Sequence, residues 1–125
     1  MEADTLLFFA KHDAALPIYE AFETRLLGEI AGVRVKVQKT QISFYNKHQF
    51  ACVSFLRVRR KAELPDPYLV VTFGLAHEAC SPRIAVATEP YPNRWTHYVI
   101  LAEPADVDDE LMAWIREAAD FAAMK

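Results

Sequence analysis

The sequence predicts an α+β fold: a mostly antiparallel sheet of five or six strands, with an N-terminal and a C-terminal helix packed on one face. Three observations support this prediction. Apolar residues follow a helical period near both ends of the chain, residues between those ends alternate between apolar and polar, and the alternating segments are joined by short connections. Strands that follow one another closely favour antiparallel pairing, and helices at the two ends can then cover one face.

The chain has 125 residues, a length typical of one domain. We therefore expect a single domain over residues 1–125, with residues 1–13 forming an N-terminal arm or short helix. A domain of this size buries roughly two-thirds of its unfolded surface, so it needs no disulfide or metal to fold. Cys52 and Cys80 belong to no CxxC pair, and we expect both to be reduced.

Two segments carry the apolar stripe of an amphipathic helix. In residues 14–30 and 106–122 the apolar side chains project within an arc of about 120° at 100° per residue. The second segment opens with a run of acids, which is favourable at a helix N-terminus. We expect Phe22 of the first stripe and Trp114 of the second to be buried.

Six segments between these helices are predicted strands, in an antiparallel meander. In the first of them the valines share one face, whereas Arg34 and Lys36 share the other. A charged loop is predicted at 59–67 and a turn at 89–94. The predicted strands are residues 33–37, 41–45, 50–59, 68–75, 83–88 and 95–101.

Charge is segregated along the chain. Residues 1–30 hold two basic and six acidic side chains, and residues 63–125 hold four basic and eleven acidic ones. Residues 31–62 hold eight basic side chains and no acid, although the whole chain has a net charge of −3. Such asymmetry can create a local positive field. The alternative is that opposite charges neutralise one another across the fold.

The open face of the predicted sheet is the candidate ligand site, with Lys36, Lys39, Tyr45, Arg94 and His97 as candidate ligand-binding residues. A basic face that also carries aromatic side chains suits anionic or stacking ligands, including single-stranded nucleic acid. In the last strand, alternation separates Arg94 from His97, and the sequence leaves open which of them shares a face with Lys36. A solvated sheet face and a homodimer interface are the alternatives.

Known catalytic and cofactor patterns are missing from the sequence. It contains no GxSxG elbow and no Gly-rich phosphate loop, and it has three glycines in all. The His77–Cys80 segment lacks the spacing of a metal site. We expect no metal and no cofactor, and we assign no catalytic residue. The N-terminus lacks the form of a signal peptide, and no apolar stretch is long enough to span a membrane, so we expect a cytoplasmic protein without membrane contact.

Three segments of the chain resemble a known family. Residues 37–53 (VQKTQISFYNKHQFACV) look like its Lys-Thr-x-Ile-x-Phe hairpin followed by Phe-Ala, and residues 91–101 (YPNRWTHYVIL) look like its Arg-x-x-His strand. Residues 106–120 (DVDDELMAWIREAAD) look like its closing helix. Over residues 19 to 120 the chain thus resembles an uncharacterised bacterial family, domain of unknown function 5655.

The resemblance implies no established activity. It does imply Lys39, Phe50, Arg94 and His97 as positions to test. Together with the charge pattern, it favours a non-enzymatic binding module whose basic sheet face takes an anionic ligand or partner, with a homodimer left open. The alternatives are a nucleic-acid-associated domain using the same face, and a small enzyme using His97 and Arg94. The sequence does not decide between them.

Overall fold

A computed structural model describes residues 2–125 and shows three α-helices and one six-stranded sheet within them. The helices are α1 (Ala3–Phe8), α2 (Leu16–Glu29) and α3 (Asp109–Ala123). Short 3₁₀ turns precede α2 and α3. The strands are β1 (Arg34–Val37), β2 (Gln41–Tyr45), β3 (Gln49–Ser54), β4 (Leu69–Leu75), β5 (Ile84–Tyr91) and β6 (Arg94–Leu101).

The sheet has the strand order β1-β2-β3-β4-β6-β5, and every neighbouring pair is antiparallel. The first four strands form the predicted meander, but the last two do not continue it. The strand β6 lies beside β4, and β5 forms the edge. Composition explains the exchange, because β5 contains Glu89 and Pro90, residues that an edge strand tolerates and an interior strand does not.

Both α2 and α3 pack on the same face of the sheet, as the sequence predicts. Phe44 of β2 and Phe73 of β4 share a face, because each pairs with Ala51 of β3 in the strand register. The ring of Phe22 in α2 lies 5.6 Å from that of Phe44, and the ring of Trp114 in α3 stacks on Phe73 at 5.8 Å. We call this side of the sheet the helix face and the opposite side the open face.

The two long helices are joined by packing and by ion pairs. The guanidinium of Arg25 in α2 contacts Asp109 at the start of α3, and Glu29 contacts Arg116 one to two turns further along. From the first contact to the second, the chain advances towards the C-terminus in both helices, so the helices run side by side with parallel polarity. The carboxylate of Asp108 accepts a hydrogen bond from the Leu111 N–H at 3.0 Å and caps α3 in the way its acidic start predicts.

Some predicted boundaries and burials differ from the structure. Trp114 is only half-buried, whereas Phe22 is fully buried, because one face of the indole stacks on Phe73 at the border of the core. The third strand ends at Ser54 instead of continuing to residue 59. The predicted turn at 89–94 shrinks to two residues, because β5 runs to Tyr91 and Asn93 adopts a φ of 61°, a left-handed conformation that asparagine tolerates.

The N-terminal segment forms the short helix α1 followed by a turn that returns to the core. Phe9 is 1 % exposed, and its ring lies 5.2 Å from that of Tyr19 in α2. The arm is therefore anchored by an aromatic side chain. Among the helices of residues 2–125, none has both the length and the apolar character needed to cross a membrane.

We predict that Phe44→Ala lowers the free energy of unfolding by about 3–5 kcal/mol. The ring is fully buried and contacts both Tyr19 and Phe22 of α2, so its removal leaves a cavity between the sheet and that helix. Urea denaturation measures the change. Tyr91→Ala is the matched control: this aromatic residue is 67 % exposed and should change stability by no more than about 0.5 kcal/mol. Similar losses in both variants would contradict this account of the core.

Candidate functional site

The open face of the sheet displays a corner of basic and aromatic side chains on β1 and β2. Strand register places Arg34 opposite Tyr45 and Lys36 opposite Ser43. The Arg34 guanidinium lies 6.0 Å from the centre of the Tyr45 ring and donates a hydrogen bond to the Asn46 carbonyl at 3.1 Å. Lys36 is diagonal to Tyr45, a spacing of roughly 7–8 Å between such positions. The structure thus brings Lys36 and Tyr45 onto one surface.

Arg94 is the first residue of β6, at the end of the sheet, and lies far from this corner. Register aligns Lys36 with Ser43, Cys52, Thr72 and Tyr98 across the sheet. Four strand spacings amount to roughly 19 Å, and Arg94 is displaced a further four residues along β6 from this row.

The side chain of Arg94 has a different neighbour. Burial, and then the positive charge of Arg94, lower the pKa of Lys125 at the end of the chain. Arg94 therefore belongs with the C-terminus of α3 and does not share a ligand with Lys36.

His97 lies on the opposite face, beneath the helices. It pairs with Phe73 in the register, its ring stacks on that phenyl at 5.1 Å, and it is completely buried. Its Nε2 atom accepts a hydrogen bond from the Ala79 N–H at 2.9 Å, which places the proton on Nδ1. Arg94 and His97 are three positions apart on one strand and point to opposite faces, so they do not face a common ligand.

The Ala79–His97 hydrogen bond also explains why β5 lies at the edge. Residues 76–83 connect β4 to β5 across the helix face, and this bond ties the middle of the connection to β6. Burial lowers the pKa of His97, and its backbone contact at Phe73 opposes the shift only in part. Its Nδ1 atom makes no hydrogen bond within residues 2–125. The neutral imidazole thus serves as a packed acceptor in the core.

Lys39 lies in the β1–β2 turn, at the end of the sheet where the N-terminal arm returns. It lines a hollow of about 510 Å³ together with residues of the arm, among them Leu7, Lys11 and His12, and with Leu56 after β3. Leu7 and Leu56 are 74 % and 51 % exposed. The hollow therefore combines cations with uncovered apolar surface.

A larger hollow of about 670 Å³ adjoins it and shares Lys11 and His12. One wall consists of residues 11–15, at the start of α2. The other consists of Arg57, Lys61 and residues 64–68 of the β3–β4 loop. We call the two hollows together the arm groove. Its permanently charged basic side chains are Lys11, Lys39, Arg57 and Lys61, and its carboxylates are Asp13 and Asp66.

An aromatic cluster around Phe55 holds the walls of the arm groove. The His12 ring stacks on Phe55 at 4.0 Å, and Phe8 stacks on it at 5.5 Å. Tyr68 meets Phe55 edge-on at 6.1 Å, and its hydroxyl donates to the Phe55 carbonyl at 2.7 Å. The arm and the loop are thereby fixed to the same residue, which follows directly after β3.

None of the basic side chains between residues 31 and 62 takes part in an ion pair within residues 2–125. All six ion pairs described there use Arg25, His77, Arg83 or Arg116. The eight basic residues of 31–62 are all exposed. We call them the basic surface: Arg34, Lys36, Lys39, Lys47, Arg57, Arg59, Arg60 and Lys61. Direct pairing across the fold therefore does not neutralise this segment.

Sequence reasoning missed the part that the N-terminal arm plays. Lys11 and His12 carried no local signal, because the basic residues that line the groove with them, Lys39, Arg57 and Lys61, are at least 27 positions away in the chain. Arg57 and Lys61 were visible as part of the run RVRRK (57–61), which the sequence alone could not distinguish from a solvated loop. The expectation that the chain holds no metal stays a prediction.

A family model described as a domain of unknown function (DUF5655) matches residues 7–122. The chain belongs to this family. The match begins inside the N-terminal arm, which the resemblance over residues 19 to 120 did not include, so most of the arm groove lies within the family's domain. Comparison with curated proteins and with solved structures finds no match.

The four positions implied by the DUF5655 resemblance have different surroundings. Lys39 lines the arm groove, Phe50 is a core residue that is 4 % exposed, Arg94 lies near the C-terminus of α3, and His97 is buried against Phe73. Only Lys39 among them is both charged and part of a concave surface.

We predict that the stability of the His97→Gln variant falls less steeply with decreasing pH than that of the wild type. His97 has a lowered pKa in the folded protein, so its contribution is complete above the unfolded pKa of about 6.5 and is lost as the pH falls below that value. Glutamine can still accept from the Ala79 N–H but does not titrate. Thermal unfolding between pH 7.5 and 5 measures this. At pH 7.5 the variant should have a lower melting temperature than the wild type, and below pH 6.5 its melting temperature should decline less steeply.

His77 supplies the control for this prediction. Its contact with Glu117 raises its pKa, so its contribution is present below the unfolded pKa and is lost as the pH rises. His77→Gln should therefore reduce stability mainly on the acidic side, the opposite sense to His97→Gln. Equal declines below pH 6.5 in wild type and His97→Gln would rule out the role assigned to His97.

Proposed function

We propose that this DUF5655 domain is a binding module that takes an anionic ligand or partner on its basic surface. The observation that supports this most is that no basic side chain of that surface is paired with a carboxylate within residues 2–125. Its eight cations are exposed and form no ion pair within residues 2–125, although the chain as a whole carries an excess of acid.

The arrangement of the acids strengthens this argument. Acidic side chains of α2 and of the start of α3 form ion pairs with Arg25, Arg83 and Arg116. Their partners therefore come from outside residues 31–62. Like charges that are held close together repel one another, and a bound anion relieves that repulsion. An anion bound among the cations of the basic surface would therefore be stabilised although the molecule as a whole is negatively charged.

The concave part of this surface is at Lys39. Lys36 and Tyr45 lie on the flat open face of the sheet, where single cations are strongly hydrated and attract anions weakly. Lys39, Arg57 and Lys61 line the arm groove, where walls of lower polarity concentrate the field. We therefore expect Lys39 to contribute more to anion binding than Lys36.

We predict that the protein binds a single-stranded oligonucleotide or inorganic phosphate at low ionic strength. Lys39→Ala should weaken that binding by a factor of about 2–5, the scale of an exposed charge interaction. Titration by calorimetry or fluorescence anisotropy at two salt concentrations measures it. Lys125→Ala removes the same charge outside the basic surface and is the matched control. If neither ligand binds at low salt, the proposal fails.

The salt dependence separates two kinds of anion. A polyanion releases counterions, and the logarithm of its affinity falls with the logarithm of salt concentration by about 0.7 for each phosphate neutralised on a single strand. A steep slope would therefore identify a nucleic-acid-associated domain, whereas a shallow slope with inorganic phosphate would identify a module for small anions.

A further inference from the structure

We propose that the larger hollow of the arm groove binds a mononucleotide, with its phosphate at Lys11, Arg57 and Lys61 and its base against the aromatic side chains of His12 and Tyr68, one from each wall. This inference deepens the proposed function and rests on it. It names the class of ligand and the hollow that binds it, whereas the charge pattern alone specifies neither.

The size of the hollow suits such a ligand. At about 670 Å³ it falls within the range of roughly 300–1,000 Å³ that small-molecule sites occupy. A free inorganic anion would leave most of this space empty.

The cations of the hollow are suited to a phosphate monoester. Lys11, Arg57 and Lys61 come from both walls, so a group between them can be held from two sides. The Arg57 guanidinium offers parallel donors to two phosphate oxygens, and the lysines add point charges. None of the three forms an ion pair within residues 2–125, so all three are available to an anion.

The rest of the lining is suited to a nucleoside and not to a second phosphate. Asp13 and Asp66 also line the hollow and would repel further negative charge, but ionised carboxylates accept hydrogen bonds from ribose hydroxyls and base amino groups. Leu64, Pro65 and Pro67 supply apolar surface. The ligand therefore needs one anionic end and a body that donates hydrogen bonds.

The two aromatic side chains are preorganised. His12 is held by stacking on Phe55 at 4.0 Å, and Tyr68 is held by its hydrogen bond to the Phe55 carbonyl at 2.7 Å. A base that stacks on side chains already fixed in place loses less affinity to ordering. This feature distinguishes the hollow from the flat open face, where Tyr45 is contacted by the Arg34 guanidinium at 6.0 Å.

The test compares adenosine 5′-monophosphate with adenosine and with ribose 5-phosphate, by isothermal titration at low salt. We expect the mononucleotide to bind at least about tenfold more tightly than either part, because both ends of the hollow are then occupied. Guanosine, cytidine and uridine monophosphates follow in the same format. Equal affinities for the mononucleotide and ribose 5-phosphate would overturn the assignment of His12 and Tyr68 to the base.

Matched variants locate the site. Arg57→Ala and Lys61→Ala should each weaken mononucleotide binding by roughly three- to tenfold, the scale of a charge-assisted hydrogen bond. Arg59→Ala removes the same charge from the same loop, and Lys36→Ala removes a lysine from β1. Neither residue lines the hollow, and neither variant should change the affinity by more than twofold. All four positions are exposed, so the variants keep the fold.

Amide shifts in nitrogen-15 NMR spectra give a second, independent readout. Titration with the mononucleotide should perturb residues 11–15 and 57–68 before any others. Equal losses in all four variants, or shifts spread over β1 and β2, would overturn this inference while leaving a diffuse anion-binding surface and the proposed function intact. Failure of the mononucleotide, of inorganic phosphate and of a single-stranded oligonucleotide to bind would overturn both.

Discussion

The fold depends on one row of side chains that runs across the sheet beneath the helices. Strand register aligns Phe44, Ala51, Phe73 and His97, and all four are buried. The small side chain of Ala51 leaves room between the two phenyl rings, so α2 packs over Phe44 and α3 over Phe73. A shift of one residue in any of these strands would exchange its buried and exposed side chains, so this row fixes the whole sheet.

The same register determines where the charges go. With Val35 opposite Phe44, alternation turns Arg34 and Lys36 away from the helices. The acids of α2 and α3 lie on the far side of the sheet, where they pair with arginines of the helices and of the β4–β5 connection. Separation of the two signs is thus a consequence of burying one face, and no side chain of the basic surface forms an ion pair within residues 2–125.

Periodicity was sufficient to predict the two long helices and the six strands. It could not predict which face of the last strand is buried, because both faces carry an aromatic or apolar set, with Trp95, His97 and Val99 on one side and Tyr98 and Ile100 on the other. The register with Phe73 and the burial of His97 and Val99 show that the first set faces the helices. Alternation within one strand does not specify how that strand pairs with its neighbours. The expectation that His97 joins a basic face therefore depended on a register that the sequence could not supply.

The arm groove was beyond sequence reasoning for a related reason. Its cations come from residues 11, 39, 57 and 61, and only long-range packing brings them together. That packing depends on Phe55, whose ring contacts Phe8, Phe9, His12 and Tyr68. A half-buried phenylalanine after a strand looks unremarkable in the sequence, yet here it joins the arm to the loop.

The groove combines an aromatic part held by contacts to Phe55 with cations that form no ion pair. Aromatic contacts at 4.0 to 6.1 Å fix the wall, whereas the cations project from exposed positions without ion pairs to restrain them. The aromatic surface supplies shape, whereas ordering the unpaired, long basic side chains around an anion costs side-chain entropy. A ligand that meets both parts gains from the wall what it loses in ordering the lysines, and this favours a molecule with an aromatic body over a bare anion.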